Sequence, residues 1–261
     1  MPTSGSSGFL PISEKKGDFI LETLKKSQLE IEFNESDHTY KLKSDAGIQF
    51  NSCTTFIGSF FEPFDEVKIA TNLVKTHYRY RDYTVESLID EWHARRDAGT
   101  DAHKEIQAYI ENQESPTLPK ANQGVTWFEK YRERQGPGWN YLSEFVVYDT
   151  DTRLMGTIDL VAFNETEKKV ALLDWKTSRK IDRASYMGKC GIKPPSAQLM
   201  DCNFVHYNLQ LSLYKRLFEK SFEVSVENLL LLHLKETECV AMFCKDLGDS
   251  VDAMIEYSLS S

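Results

Sequence analysis

Two aspartates and a lysine stand on apolar segments in the middle of the chain: Asp159 in Gly156-Thr-Ile-Asp-Leu-Val-Ala-Phe163, and Asp174 with Lys176 in Val170-Ala-Leu-Leu-Asp-Trp-Lys176. The unbroken apolar run fits a strand buried on both faces. Side chains two apart on a strand share a face, so Asp174 and Lys176 point the same way. A hairpin register would bring Asp159 close to Asp174. Paired carboxylates repel, and such a pair is stable chiefly with a cation between them or with one protonated. Hard oxygen ligands suit magnesium or manganese, and such an ion polarises a phosphoryl oxygen and activates water. A lysine alongside would orient that water or offset charge in the transition state. The chemistry indicated is metal-dependent phosphodiester hydrolysis. Asp-x-Lys alone is also what an exposed ion pair at a strand end looks like. The apolar residues before Asp174 and Trp175 after it favour a site, because an unpaired buried carboxylate is costly.

The elements that must position these residues follow from periodicity and breakers. Residues 14–33 carry a mixed helical pattern, and His38–Leu42 alternates like a strand before a turn at Ser44–Gly47. Ser52-Cys-Thr-Thr55 can cap the apolar segment Phe56–Phe61. Asp65–His77 and Val85–Gln113 read as helices, the second interrupted or joined around Ala98-Gly-Thr100. Pro116–Pro119 marks a loop, and Val125–Arg134 a short helix stopped by Gly136-Pro-Gly138. Three strands are predicted at Leu142–Tyr148, Leu154–Phe163 and Lys169–Leu173, with Asn164–Lys168 as a hairpin turn. Residues 182–202 read as a loop or insertion. Phe204–Phe222 reads as a helix, Leu229–Leu234 and Val240–Phe243 as strands, and Asp246–Leu259 as a last helix. The sum is an α/β fold, a small mixed β-sheet flanked by helices.

In motif order these residues resemble the PD-(D/E)XK nucleases, specifically the RecB-like exonuclease branch. Gly156-x-x-Asp159 and Asp174-Trp-Lys176 match that family's acidic strand and its Asp/Glu-x-Lys strand. The resemblance implies a restriction-endonuclease-like core with an N-terminal helical elaboration, Asp159 and Asp174 as metal ligands, Lys176 as the catalytic lysine and the Trp175 carbonyl as a further ligand. Ala98-Gly-Thr-Asp-Ala-His103 resembles the branch's Gly-Thr-x-x-His helix, which implies His103 at the metal. Tyr207-Asn-Leu-Gln210-Leu-Ser-Leu-Tyr214 resembles its Gln-x-x-x-Tyr helix, which implies Gln210 and Tyr214 along the nucleic-acid channel. Glu144 matches a glutamate on the preceding strand; it either touches a metal or its water, or only shapes the field of the site. Upstream, His38-x-Tyr40 followed by Ser52–Thr55 is similar to the entrance of phage-type and mitochondrial genome-maintenance exonucleases. Gln107 stands where the family's histidine motif often carries a glutamate. Some relatives hold an iron–sulfur cluster with one upstream and three clustered downstream cysteines; the cysteines here do not fit that spacing, so no cluster is expected.

The chain has 261 residues and a formal net charge of −9. That charge gives no global attraction to a polyanion, so nucleic acid would have to be held by a local basic patch. Arg95-Arg96, before the histidine motif, and Thr177-Ser178-Arg179, after Lys176, are placed to meet phosphates. Tyr78-Arg-Tyr-Arg-Asp-Tyr83 mixes rings with arginines, which suits phosphates and bases, although a solvated loop or helix end accounts for it better. Five scattered cysteines suit a reducing, intracellular setting. Cys190, Cys202 and His206 lack a zinc spacing. No run approaches the roughly 20 apolar residues of a membrane span, so a soluble protein is expected. Residues 1–8 read as an appended linker that could have replaced a targeting segment, which leaves nucleus, cytoplasm and mitochondrion open. Residues 9–261 are expected to form one nuclease domain, with a helical part at about 9–135 and a catalytic core at about 98–245.

The sequence thus predicts a magnesium- or manganese-dependent deoxyribonuclease, an exonuclease on single-stranded or end-exposed DNA. Helicase or replication and repair proteins are its natural partners. The rivals are a structure-specific endonuclease or RNA-directed nuclease on the same scaffold, and a non-catalytic nucleic-acid-binding subunit that keeps the fold.

Overall fold

A computed structural model describes residues 19–34, 39–45 and 47–260. His38 of the upstream motif lies outside them. In chain order the helices are α1 (Phe19–Leu29), α2 (Cys53–Gly58), α3 (Glu66–Thr76), α4 (Val85–Asn112), α5 (Pro119–Gln135), α6 (Asn203–Phe222) and α7 (Gly248–Leu259). The strands are β1 (Ile31–Asn34), β2 (Thr39–Leu42), β3 (Asn51–Ser52), β4 (Trp139–Asp149), β5 (Leu154–Asn164), β6 (Lys169–Lys176), β7 (Val226–Leu234) and β8 (Cys239–Phe243). β1 and β2 form a separate hairpin, and the rest make one mixed sheet in the order β3-β5-β6-β7-β8, with β4 on β5.

The expected α/β class, a mixed sheet flanked by helices with helical elements ahead of it, is what the chain forms. One apolar layer packs Leu24 of α1, Phe56 of α2, Phe60 in the turn after it, Leu213 and Phe218 of α6 and Val251 of α7 against one sheet face. A second layer packs Ile106, Ala121, Val125 and Phe128 of α4 and α5 against the other face, over Leu160, Leu173 and Trp175. Among the described residues no helix is long and apolar enough to cross a membrane.

Several boundaries differ from the sequence reading. The helix expected over 14–33 ends at Leu29, and Ile31–Asn34 pairs antiparallel with Thr39–Leu42. The period-two pattern of Ile-Glu-Phe-Asn prevails there over the helical one. Pro119, expected in a loop, opens α5 six residues before Val125, in the first-turn position where its missing N–H costs nothing. Ser52 caps α2 as expected, accepting from the Thr55 N–H. α4 runs unbroken through Gly99 and Thr100. Residues 182–202 form two short turns and a bridge between Cys190 and Met200, tied back through the Ser196 Oγ and Ile192 N–H, which both donate to the Phe60 carbonyl at 2.8 Å.

β5 is the strand on which the site is built. It pairs with β4 along one edge. Along the other it meets β3 at Leu154–Met155 and β6 at Leu160–Asn164, so Gly156–Asp159 has no strand partner on that side. The Tyr214 ring of α6 closes over this gap: a Cβ on Gly156 would lie 2.3 Å from Tyr214 Cε1 and 3.1 Å from Cys53 Sγ. Gly156 is therefore required by close approach rather than by a special backbone angle. Gly156→Ala should destabilise the protein by about 1–3 kcal/mol, the usual scale of overpacking, in urea unfolding. Combined with Tyr214→Ala the added methyl should cost much less, whereas additive losses would show that the ring is not what it meets.

Candidate metal centre and cleft

Register places three acids in a row across three strands. Ser143 pairs with Leu160 and Phe145 with Ile158, so Glu144 stands opposite Asp159. Leu160 pairs with Leu173, so the next position in register sets Asp159 opposite Asp174. The ladder does not reach that position, because β6 turns away from β5 and follows β7 in parallel up to Lys176 and His233. In place of a ladder bond, the Trp175 N–H donates to Asp159 Oδ2 at 2.6 Å. Glu144 has a left-handed φ of 48°. Across it the residues of the α6-side core change from Leu142 to Phe145 and Val147, and across Asp159 they change from Ile158 to Val161 and Phe163. The phase of both strands shifts at the acids, as bulges do when they re-aim a side chain.

α4 brings His103 to this row. His103 Nδ1 lies 3.5 Å from Asp159 Oδ2, and single ligand atoms of His103, Glu144 and Asp159 all lie within 4.8 Å of one another. One imidazole and two carboxylates at that spacing can hold a divalent cation. Gly99, one turn before His103, lets the helix lie against the strand end: a Cβ there would meet Thr177 Oγ1 at 2.4 Å.

Asp174 is turned inward. Only 1% exposed, it pairs with Lys176 Nζ at 2.7 Å and accepts from Gln210 Nε2 at 3.3 Å. Gln210 also donates to the Tyr214 hydroxyl at 2.8 Å, and Lys176 Nζ sits 4.8 Å over the Tyr207 ring. Gln210 and Tyr214, expected along a nucleic-acid channel, are both buried, 8% and 3% exposed, behind Asp174 and over Gly156. Trp175 offers its N–H to Asp159 while its ring packs edge-on to Trp127.

The charges are strongly interdependent. Burial pushes the Glu144 carboxyl up to about 8, and Asp159 opposite adds to the rise. Burial likewise lifts Asp174 to about 6 against the pull of Lys176. Burial also acts to raise Asp159, but His103 and Lys176 outweigh it and hold that carboxyl below its ordinary value. Burial disfavours the charged forms of His103 and Lys176, yet Asp159 lifts the former and Asp174 with Asp159 the latter.

His103 and Glu144 open into a cleft of about 1590 Å³ whose walls carry Arg95, Arg96, Lys104, Lys120, Lys176, Arg179 and Lys235 against Glu144 and Glu236. Cationic side chains thus outnumber acidic ones on these walls, on a chain of net charge −9. Thr177 and Ser178 also line it. The Thr177 carbonyl accepts from Lys120 Nζ at 2.8 Å, that of Ser178 faces His233 Nε2 at 2.6 Å, and the Ser178 hydroxyl is buried without a partner. Arg95 is paired with Glu91, and Arg96 lies 3.7 Å from Glu66, both at the surface. Of the cleft residues, Trp92, Lys104, Lys120, Tyr207 and Lys235 were not singled out from sequence. Trp92 and Lys104 sit on the helix of the histidine motif and could have been found by its periodicity. Lys120 and Lys235 come from other elements and carry no local signal.

No family model and no curated protein matches the chain. Among solved structures, SSO0001 aligns at 11% identity and a TM-score of 0.38, over 93% of this chain and 85% of that one. A protein named as a putative exonuclease from Eubacterium rectale aligns at 8% identity and a TM-score of 0.39, over 88% and 84%. Likeness at this level fixes neither family nor function.

The raised Glu144 carboxyl gives cation binding a pH dependence of known sign. Below about 8 that group holds a proton in the ion-free protein, and a cation must displace it. Manganese affinity measured by calorimetry should therefore climb from about pH 6.5 to about pH 8.5, up to roughly tenfold per pH unit below the pKa for one displaced proton, then level off. Glu144→Gln should weaken binding and flatten the profile. A flat profile in the unmodified protein would remove Glu144 from the ligand set.

Proposed function

We propose that the protein is a divalent-metal-dependent nuclease that hydrolyses phosphodiester bonds of DNA, acting as an exonuclease on single-stranded or otherwise exposed ends. The observation that carries this reading is the position of the His103, Glu144 and Asp159 cluster at a cleft lined with cationic side chains on a chain that is otherwise acidic. A phosphate backbone supplies the negative charge such walls attract. The resemblance of Gly156-x-x-Asp159, Asp174-Trp-Lys176 and Gly99-Thr-x-x-His103 to the RecB-like nucleases supports the same chemistry.

His103, Glu144 and Asp159 fit magnesium or manganese by donor type, and the resemblance to the RecB-like nucleases adds Asp174 and the Trp175 carbonyl as further expected donors. A cation bound there would supply Lewis acidity toward a phosphoryl oxygen and lower the pKa of a water. The chain's own groups do the rest. Lys176, kept charged by Asp174 and Asp159, sits beside the acid row and can orient the attacking water and offset charge that builds on the phosphate. Glu144, which holds its proton near neutral pH until a cation displaces it, keeps three carboxylates from being charged together in the ion-free protein. Thr177, Ser178 and Arg179 follow the catalytic strand into the cleft and receive the flanking phosphates. Arg95 and Arg96 can exchange weak surface pairs for backbone phosphates.

The test is cleavage of linear single strands labelled at either end, of circles and of duplexes, in magnesium, manganese or EDTA. Metal-dependent shortening of linear strands with circles intact is the expected result. Cut circles would make the protein an endonuclease, and no cleavage of any DNA would leave RNA or the non-catalytic subunit. Lys176→Ala should lower turnover by roughly 10²-fold or more while changing manganese affinity far less. Equal loss of both would make the lysine a structural counter-ion to Asp174.

A further inference from the structure

α4 presents one continuous stripe to the cleft. Trp92, the adjacent pair Arg95 and Arg96, Gly99 and His103 follow one another with three or four residues from one turn to the next, and all five line it. The stripe therefore runs from the cation cluster, past the close contact at Gly99 and two arginines, to an indole. Trp92 is half-buried rather than packed away. Phe64, 65% exposed, lies against it with ring centroids 5.7 Å apart. A large exposed aromatic beside a second ring, at the end of a cationic track, has no role in the core on either face of the sheet. It has the chemistry of a surface for a flat, π-faced group carried on a polyanion.

We propose that Trp92, with Phe64 at its side, is a base-stacking subsite for the substrate strand; this rests on the nuclease reading above. Eleven residues of helix separate Trp92 from His103, about 16 Å at ~1.5 Å per residue. At the ~3.4 Å rise of a stacked strand that is about five nucleotides from the reacting phosphate, and fewer for a stretched strand. Arg95 and Arg96 lie between and meet the intervening phosphates. Stacking does not depend on base identity, so the subsite favours unpaired strands without reading sequence. It thereby gives this cleft a preference for single-stranded over duplex ends.

The experiment compares octathymidylate with the small diester thymidine 5′-(4-nitrophenyl phosphate), which is too short to reach Trp92. In Trp92→Ala, kcat/KM for octathymidylate should fall by roughly 5- to 100-fold, the worth of one base–aromatic stack, while the small diester is turned over as before. Trp92→Phe should keep most of the octamer rate. Phe64→Ser, at an exposed position whose loss leaves the fold intact, should give a smaller loss on the octamer alone. Equal losses on both substrates in Trp92→Ala and none in Phe64→Ser would make Trp92 a packing residue of α4, and unchanged octamer kinetics in both would overturn the subsite. Fluorescence anisotropy of labelled octathymidylate in EDTA reads the same contact without turnover. If no substrate is cut but Trp92→Ala still weakens octamer binding, the nuclease reading fails and the subsite stands.

Discussion

Everything at the site depends on two adjacent strands ceasing to pair. β5 and β6 are zipped from Asn164 and Lys169 to Leu160 and Leu173, and then the ladder stops where Asp159 and Asp174 would face each other. The divergence is held by specific contacts: the Trp175 N–H on Asp159, β7 alongside Asp174 to Lys176, and Tyr214 over Gly156. A backbone N–H released from a ladder needs another acceptor. Here that acceptor is the site's own carboxylate, so the separation of the strands and the aim of Asp159 are one feature.

From this follows the division of labour among the acids. Asp174, on the buried side of the split, is paired with Lys176, accepts from Gln210 and holds Lys176 in place, whereas Asp159 and Glu144 face His103. A buried pair such as Asp174 with Lys176 adds little net stability by itself. Its value is to keep an ammonium fixed at the edge of the cation cluster, ready to act on what is bound there. The cleft solves a related problem of field. A chain with 40 acidic and 31 basic residues repels a polyanion at long range, and the cationic walls confine attraction to one groove, so binding is expected to weaken steeply with salt.

Much of the arrangement was legible in the sequence because short-range rules decide it. The apolar run Val170–Leu173 announces a buried strand, and the spacing of Asp174 and Lys176 fixes their common face. The Gly156 and Gly99 motifs stood out only through the family resemblance, and the Tyr214 ring and Thr177 show why each glycine is required. What could not be read was how far each strand continues and where helices place their ends. The approach of Glu144 to Asp159 depends on a left-handed residue inside β4, which no propensity favours for glutamate. Helical spacing likewise says that Gln210 and Tyr214 share a face, but only packing tells that this face turns toward Asp174 and the core. Lys120 and Lys235 reach the cleft from α5 and the turn after β7, a contact between distant segments that no local pattern encodes.

The central claim is that the acid row and His103 form a cation site. Its most direct test is a crystal soaked in manganese, with anomalous scattering recorded at the manganese edge. The account predicts a peak bounded by His103, Glu144 and Asp159 that disappears in Asp159→Asn crystals of the same form. No peak in that space, or a peak that survives the Asp159→Asn substitution unchanged, would contradict it.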